Sequence, residues 1–186
     1  TDVSRGDRFR VTTTGGSFEA PALVLATGGL SIPKMGASGF SHDVARRFGL
    51  AVTETHPGLV PLTFSEADTD LMRPLAGVSQ DVLARCGKAA FRENLLFTHR
   101  GLSGPAILQI SSYWRRGDGI EIDLLPGVDA THFLIAAKAA RPRAEAKTVL
   151  SEIIPRRLAD AMTERHLPAR PLAEISDRDL DRLGTA

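Results

Sequence analysis

The sequence predicts an α+β fold, with short strands through the first two thirds of the chain and short helices in the last third. Three observations predict it. The apolar run Leu23-Val24-Leu25-Ala26 stops on the pair Gly28-Gly29, which reads as a buried strand opening into a side-chain-free bend. Turn-bounded apolar segments then recur at near-regular spacing up to Leu125, the pattern of a small barrel or closed sheet. Beyond Thr131, helix-forming segments are punctuated by Pro142, Pro155, Pro168 and Pro171, the pattern of a bundle of short helices.

In chain order, Phe9 and Val11 alternate with Arg8 and Arg10, which predicts a half-exposed strand over Arg8–Thr14. Gly15-Gly16 turns it, Ser17–Ala20 returns, and Pro21 interrupts the ladder before a buried strand over Ala22–Ala26. Val44, Ala45 and Phe48 share one helical face, so a short helix follows, with Ser41 as its N-cap and Gly49 just past its end. Val60–Phe64, Val78–Arg85, Ala89–Leu96 and Gly119–Leu125 read as strands. In the last of these, Ile120, Ile122 and Leu124 alternate with Glu121 and Asp123. One helix interrupts them: Ser103 caps it, Pro105 suits its first turn, and Ala106, Ile107, Ile110, Tyr113 and Trp114 supply a core-facing stripe. Helices are predicted over Thr131–Ala140, Glu145–Ile154, Pro155–His166 (Pro155 at its first position) and Asp177–Leu183, the last capped by Ser176 with Asp179.

Bulk composition excludes several classes. The net charge of +1 gives no electrostatic case for nucleic acid or an anionic membrane as partner. One cysteine, Cys86, rules out an internal disulfide and a cysteine-based zinc site, and fits a cytoplasmic setting. The histidines lack ligand spacing, so no metal is expected. No G-x-S-x-G element is present, which argues against a serine hydrolase. No apolar stretch approaches the roughly 18 residues that span a bilayer.

Two segments can carry chemistry. In the Gly28–Gly39 loop, Gly28, Gly29, Gly36 and Gly39 leave backbone N–H groups accessible. Thr27 and Ser31 add hydroxyls and Lys34 adds a positive charge, a set suited to phosphates, riboses and a ring edge. The loop reads equally as a strand-to-helix connector. In Thr98–Gly104, His99 and Arg100 precede Gly101, Ser103 and a helix start. Unpaired N–H groups from Ser103 to Ala106 would favour an anion or a carbonyl oxygen. His99 either moves a proton in catalysis or satisfies a buried carbonyl.

The blocks Ala26-Thr27-Gly28-Gly29 through Gly39, Pro57-Gly58-Leu59-Val60-Pro61-Leu62-Thr63 and Phe97-Thr98-His99-Arg100-Gly101-Leu102-Ser103-Gly104-Pro105 together resemble the BaiN/YhiN-like NAD(P)/FAD-dependent oxidoreductases. The resemblance covers roughly Phe9 to Leu183. It implies the edge of an FAD-binding Rossmann-like domain over residues 1–57, an inserted β-barrel over 58–128 and a helical subdomain over 129–186. It implies FAD as redox centre, NAD(P)H as a possible donor, and hydride transfer between flavin and a small-molecule substrate. Ala26, Thr27, Gly28, Gly29, Ser31, Lys34, Gly36, Gly39, Gly101 and Ser103 would contact the cofactor, and His99 would be catalytic. The family's first G-x-G-x-x-G unit has no counterpart here. The chain is therefore expected to be a central segment whose partners are the flanking segments of its own parent, and to bind FAD poorly alone. The competing expectation is a non-catalytic interaction or dimerisation module, marked by an exposed apolar patch on the 131–183 helices.

Overall fold

Two antiparallel sheets organise the chain, one in each of two compact units, Thr1–His56 and Pro57–Ala186. The computed structural model describes residues 1–65, 68–69 and 72–185.

In the first unit, strands β1 (Asp2–Arg5), β2 (Phe9–Thr13) and β3 (Gly16–Ala20) form a meander in that order. Val11 lies opposite Phe18 and Phe9 opposite Ala20, so the alternation in β2 sets which face is apolar. Helix α1 (Phe40–Arg47) buries Val44, and Phe48 just beyond it packs tilted against Phe9, ring centroids 5.9 Å apart. The expected buried strand over Ala22–Ala26 does not form: these residues are unpaired, and Val24 is 86 % exposed. A strand apolar on both faces needs a neighbour on each edge and a cover on each side, and no described strand pairs with this one. Ser41 is not the cap of α1. Gly39 holds that position with no side-chain bond, and the Ser41 hydroxyl lies inside the helix, 2.5 Å from that of Thr27.

In the second unit, β4 (Leu62–Thr63), β5 (Ser79–Cys86), β6 (Ala89–Phe97), β7 (Gly101–Ser103) and β8 (Glu121–Asp123) pair antiparallel in the order β4-β7-β6-β5-β8. This is a half-barrel rather than the closed sheet expected. Among the described residues no pairing joins the two ends of the order, β4 and β8. Helix α2 (Pro105–Ser111) lays Ala106, Ile107 and Ile110 against Val82, Ala84, Leu95 and Phe97 of the sheet. Its start differs from expectation: Gly104, not Ser103, is the N-cap, because Ser103 is drawn into β7 opposite Leu96. At its end the Ser112 and Ser111 hydroxyls accept from the Leu59 and Val60 N–H groups, anchoring the segment that leads into β4. Tyr113 is not a core residue. The helix ends at Ser111, so the 3.6-residue phase no longer governs position 113, and its side chain is 57 % exposed.

Helices α3 (Ala130–Ala140), α4 (Ala146–Leu150), α5 (Arg156–His166) and α6 (Asp177–Gly184) complete this unit. Leu134, Val149, Leu158, Leu172 and Leu180 are fully buried and join the sheet's own core. Each such side chain contributes about 1.5–3 kcal/mol on burial. Asp129 caps α3 by accepting from the His132 N–H at 2.8 Å. Ser176 caps α6 by accepting from the Asp179 N–H at 3.1 Å, as expected. Pro155 occupies the cap position of α5 rather than its first turn. Arg157 on α5 donates to the carbonyls of Pro74 and Ala76, fastening the helices to the strand region.

Arg141 forks onto Glu152, donating at 2.5 and 3.0 Å. That hydrogen bonding holds the Glu152 carboxyl below the usual carboxylate range and raises the Arg141 guanidinium. A carboxyl with a depressed folded-state pKa stabilises the fold above its unfolded pKa and loses that contribution as pH falls through the folded value. Glu152→Gln should therefore flatten the decline in Tm on acidification below about pH 4.5. An unchanged acid limb in a thermal melt series would remove this pair from the pH response.

Candidate functional site

The glycine loop of the first unit is open. Ala26, Thr27, Gly28, Gly29, Ser31 and Lys34 are all exposed. Gly28 has φ 78°, a left-handed value that favours glycine. A Cβ at Gly28, Gly29 or Gly36 would meet nothing within 4 Å. The N–H groups of Gly28 and Gly29 donate to no acceptor among the described residues. Downstream, Pro33–Met35 form one 3-10 turn, closed by Gly36 donating to the Pro33 carbonyl at 3.0 Å. Lys34, on that turn, has no ion pair among the described residues. The Thr27–Ser41 hydroxyl contact ties the loop to α1, and Gly39 accepts from the Asp43 N–H at 2.9 Å. Free donors, absent side-chain bulk and one unpaired cation suit the phosphate and ring edges of a dinucleotide such as FAD.

The second expected segment is the turn between β6 and β7. Thr98 builds it: its hydroxyl accepts from the Arg100 and Gly101 N–H groups at 3.3 and 3.1 Å, and its backbone N–H donates to the Gly101 carbonyl at 2.8 Å. His99 and Arg100 stand exposed at the tip. The His99 ring has no hydrogen-bond or ion-pair partner among the described residues, so it does not satisfy a buried carbonyl. Gly101 and Gly104 are packing requirements. A Cβ on Gly101 would lie 2.0 Å from the Leu62 carbonyl oxygen, and one on Gly104 would lie 2.6 Å from that of Asn94. The expected run of free donors from Ser103 to Ala106 is interrupted, since Ser103 belongs to the β7 ladder and Pro105 has no N–H. The structure thus gathers His99, Gly101 and Ser103 on one turn of the second unit, while Ala26 to Gly39 belong to the first.

Sequence reasoning missed a third feature. The β5–β6 turn, together with Tyr113, Asp118 and Gly119, borders a wide-open cavity of about 720 Å³, whose lining includes Gly87, Lys88 and Phe91. The only signal for it was Tyr113, read as core. Among the described residues no cluster of His, Cys, Asp or Glu has the grouping to hold a metal, and no helix is long and apolar enough to cross a membrane.

Residues 56–186 match the family described as HI0933-like protein barrel and H2TH domain. A ribosomal RNA dihydrouridine synthase of Escherichia coli is 42% identical over 177 residues, which cover 94% of this chain and 44% of that relative. A protein of the same name from Haemophilus influenzae is 40% identical over 160 residues, 85% of this chain and 39% of the relative. The chain thus spans less than half the length of the curated relatives it matches. Their name corrects the expectation that nucleic acid is excluded. Net charge averages over the whole surface, whereas nucleic acid responds to local cations. Lys34, Lys88, Arg100 and Arg116 are exposed and form no ion pair among the described residues.

Proposed function

Because this chain belongs to the HI0933-like barrel and H2TH domain family, matching it over residues 56–186, we propose that it forms the central part of an FAD-dependent enzyme that reduces uridine in ribosomal RNA. The observation that carries this reading is the 42% identity, across 94% of the chain, to a protein named for that reaction. Reduction of a uracil to dihydrouracil adds one hydride and one proton across the C5–C6 double bond. A bound reduced flavin would supply the hydride.

The remaining tasks fall to the protein. Residues 1–57 contribute to the flavin-binding part, with Ala26, Gly28, Gly29, Gly36 and Gly39 giving close backbone approach. Thr27 and Ser31 offer hydroxyls, and Lys34 balances negative charge on the cofactor. Residues 58–128 and 129–186 form the substrate side. There Gly101 and Ser103 shape the β6–β7 turn, and His99 delivers the proton that completes the reduction. Its exposure supports that role, since an acid acting on a base within a polymer must stand where the polymer can reach it.

A purely docking role has less support. Among the described residues Ile135 is the one exposed large apolar side chain across residues 131–183, and only at 37 %, short of the contiguous exposed patch that marks a docking surface.

The test is a chimera in which the matching segment of the Escherichia coli relative is exchanged for this chain. Expressed in a strain lacking that relative, it should retain flavin and restore dihydrouridine in ribosomal RNA, read by mass spectrometry of nucleosides. A yellow, folded chimera that leaves the uridine unreduced would overturn the reading.

A further inference from the structure

The cavity at the end of the β5–β6 hairpin lies in the second unit, apart from the β6–β7 turn in sequence, and none of the roles above uses it. Its parts are chemically specific. Tyr113 packs against Phe91 with ring centroids 5.5 Å apart and planes tilted by 43°, yet more than half of its side chain stays open. Its hydroxyl has no partner among the described residues. Lys88, at the exposed tip of the turn, makes no ion pair among them. Gly87, Ala89, Ala90 and Gly119 also line it, small residues that add little bulk beside the rings.

The opposite wall is held in place. The Arg115 N–H donates to the Asp118 carboxylate at 2.9 Å, and the Trp114 indole N–H donates to the Asp118 carbonyl at 2.8 Å. One carboxylate oxygen of Asp118 accepts nothing among the described residues. Arg116, in the same turn, is exposed and without an ion pair among the described residues. An unused aromatic face, unpaired cations and a spare acceptor on a pinned loop are the elements with which proteins hold single-stranded RNA. Bases stack on rings, cations meet phosphates, and acceptors take base N–H or ribose hydroxyl groups. A protein-binding groove would instead present an apolar centre depleted of charge, and the cavity has two charged groups, Lys88 and Asp118, in its lining.

We propose that this cavity is an RNA-contact site, in which an unpaired nucleobase stacks on Tyr113 and Lys88 meets an adjoining phosphate. The proposal rests on the reading that the parent enzyme acts on RNA. It adds a site that positions the strand rather than one that does chemistry.

Fluorescence anisotropy of a labelled single-stranded oligouridine, titrated with this chain over a range of salt, tests it. Tyr113→Ala should weaken binding about tenfold, while Tyr113→Phe keeps the stack and stays within about twofold of the parent. Lys88→Gln, at an exposed turn where folding is not at stake, should reduce the slope of log affinity against log salt by about 1. Wild-type affinity and slope in both Tyr113→Ala and Lys88→Gln would overturn the site. So would absence of oligouridine binding by the parent chain. If either occurs while the chimera still makes dihydrouridine, the site fails and the function stands. If Tyr113-dependent binding is found while the chimera leaves uridine unreduced, the site stands and the function fails.

Discussion

Gly101→Ala should lower the stability of the second unit by about 3 kcal/mol or more, with a matching drop in the urea midpoint. Gly101 lies directly opposite Thr63 in the β4–β7 pair. A methyl there would sit 2.0 Å from the Leu62 carbonyl oxygen, 2.7 Å from the Thr63 Cα and 2.9 Å from the Leu62 carbonyl carbon. All three are backbone atoms, so no rotamer change relieves the clash. Either β4 leaves the sheet or the turn carrying His99 shifts. Gly104→Ala should behave alike, since its methyl would fall 2.6 Å from the Asn94 oxygen and 2.8 Å from the Leu96 nitrogen, at a φ of 89°. Gly6→Ala is the control, because its site is open and its midpoint should move by less than about 0.5 kcal/mol equivalent. If Gly101→Ala melts with Gly6→Ala, the close approach of β4 to β7 is not real.

In the chimera, His99→Ala should slow dihydrouridine formation by about 100-fold or more, the usual contribution of a positioned general acid. Bound flavin should be unchanged, because the role proposed for His99 is proton delivery and the cofactor contacts are assigned to the glycine loop. The substitution is safe for folding: the ring is exposed and has no partner among the described residues, and the turn is held by Thr98 and Gly101. That separates chemistry from stability. A rate that survives His99→Ala would assign the proton to another donor and leave His99 as a surface residue.

Much of the fold was legible because the signal was local. The alternation of Ile120, Ile122 and Leu124 with Glu121 and Asp123 marked β8, and the Ser176–Asp179 pair marked the start of α6. β1 was not legible, since Asp2-Val3-Ser4-Arg5 has a single apolar side chain and its pairing comes from β2. β7 was hidden for a similar reason: its strand character depends on Gly101 admitting the backbone of residues 62 and 63, a long-range event. Ala22–Ala26 misled because apolar composition reports a need for cover, not its presence. For the candidate site, the glycine bend and the His99 turn could be picked out from residue types. The Tyr113 cavity could not, because it requires knowing that α2 stops at Ser111. Net charge was too coarse to exclude nucleic acid, because salt bridges such as Arg85–Glu121 and Arg92–Asp81 absorb some cations and leave Lys88 out.

The β5–β6 ladder runs unbroken from Ser79 opposite Leu96 to Cys86 opposite Ala89, joined by only Gly87 and Lys88. Closing so tight a loop sacrifices little chain entropy, and such ribbons assemble within microseconds. Nucleation is therefore expected in this ribbon, ahead of the slower docking of segments distant in sequence. Mutations in Val82 or Leu95 should then retard refolding, whereas those in α6 should mainly hasten unfolding.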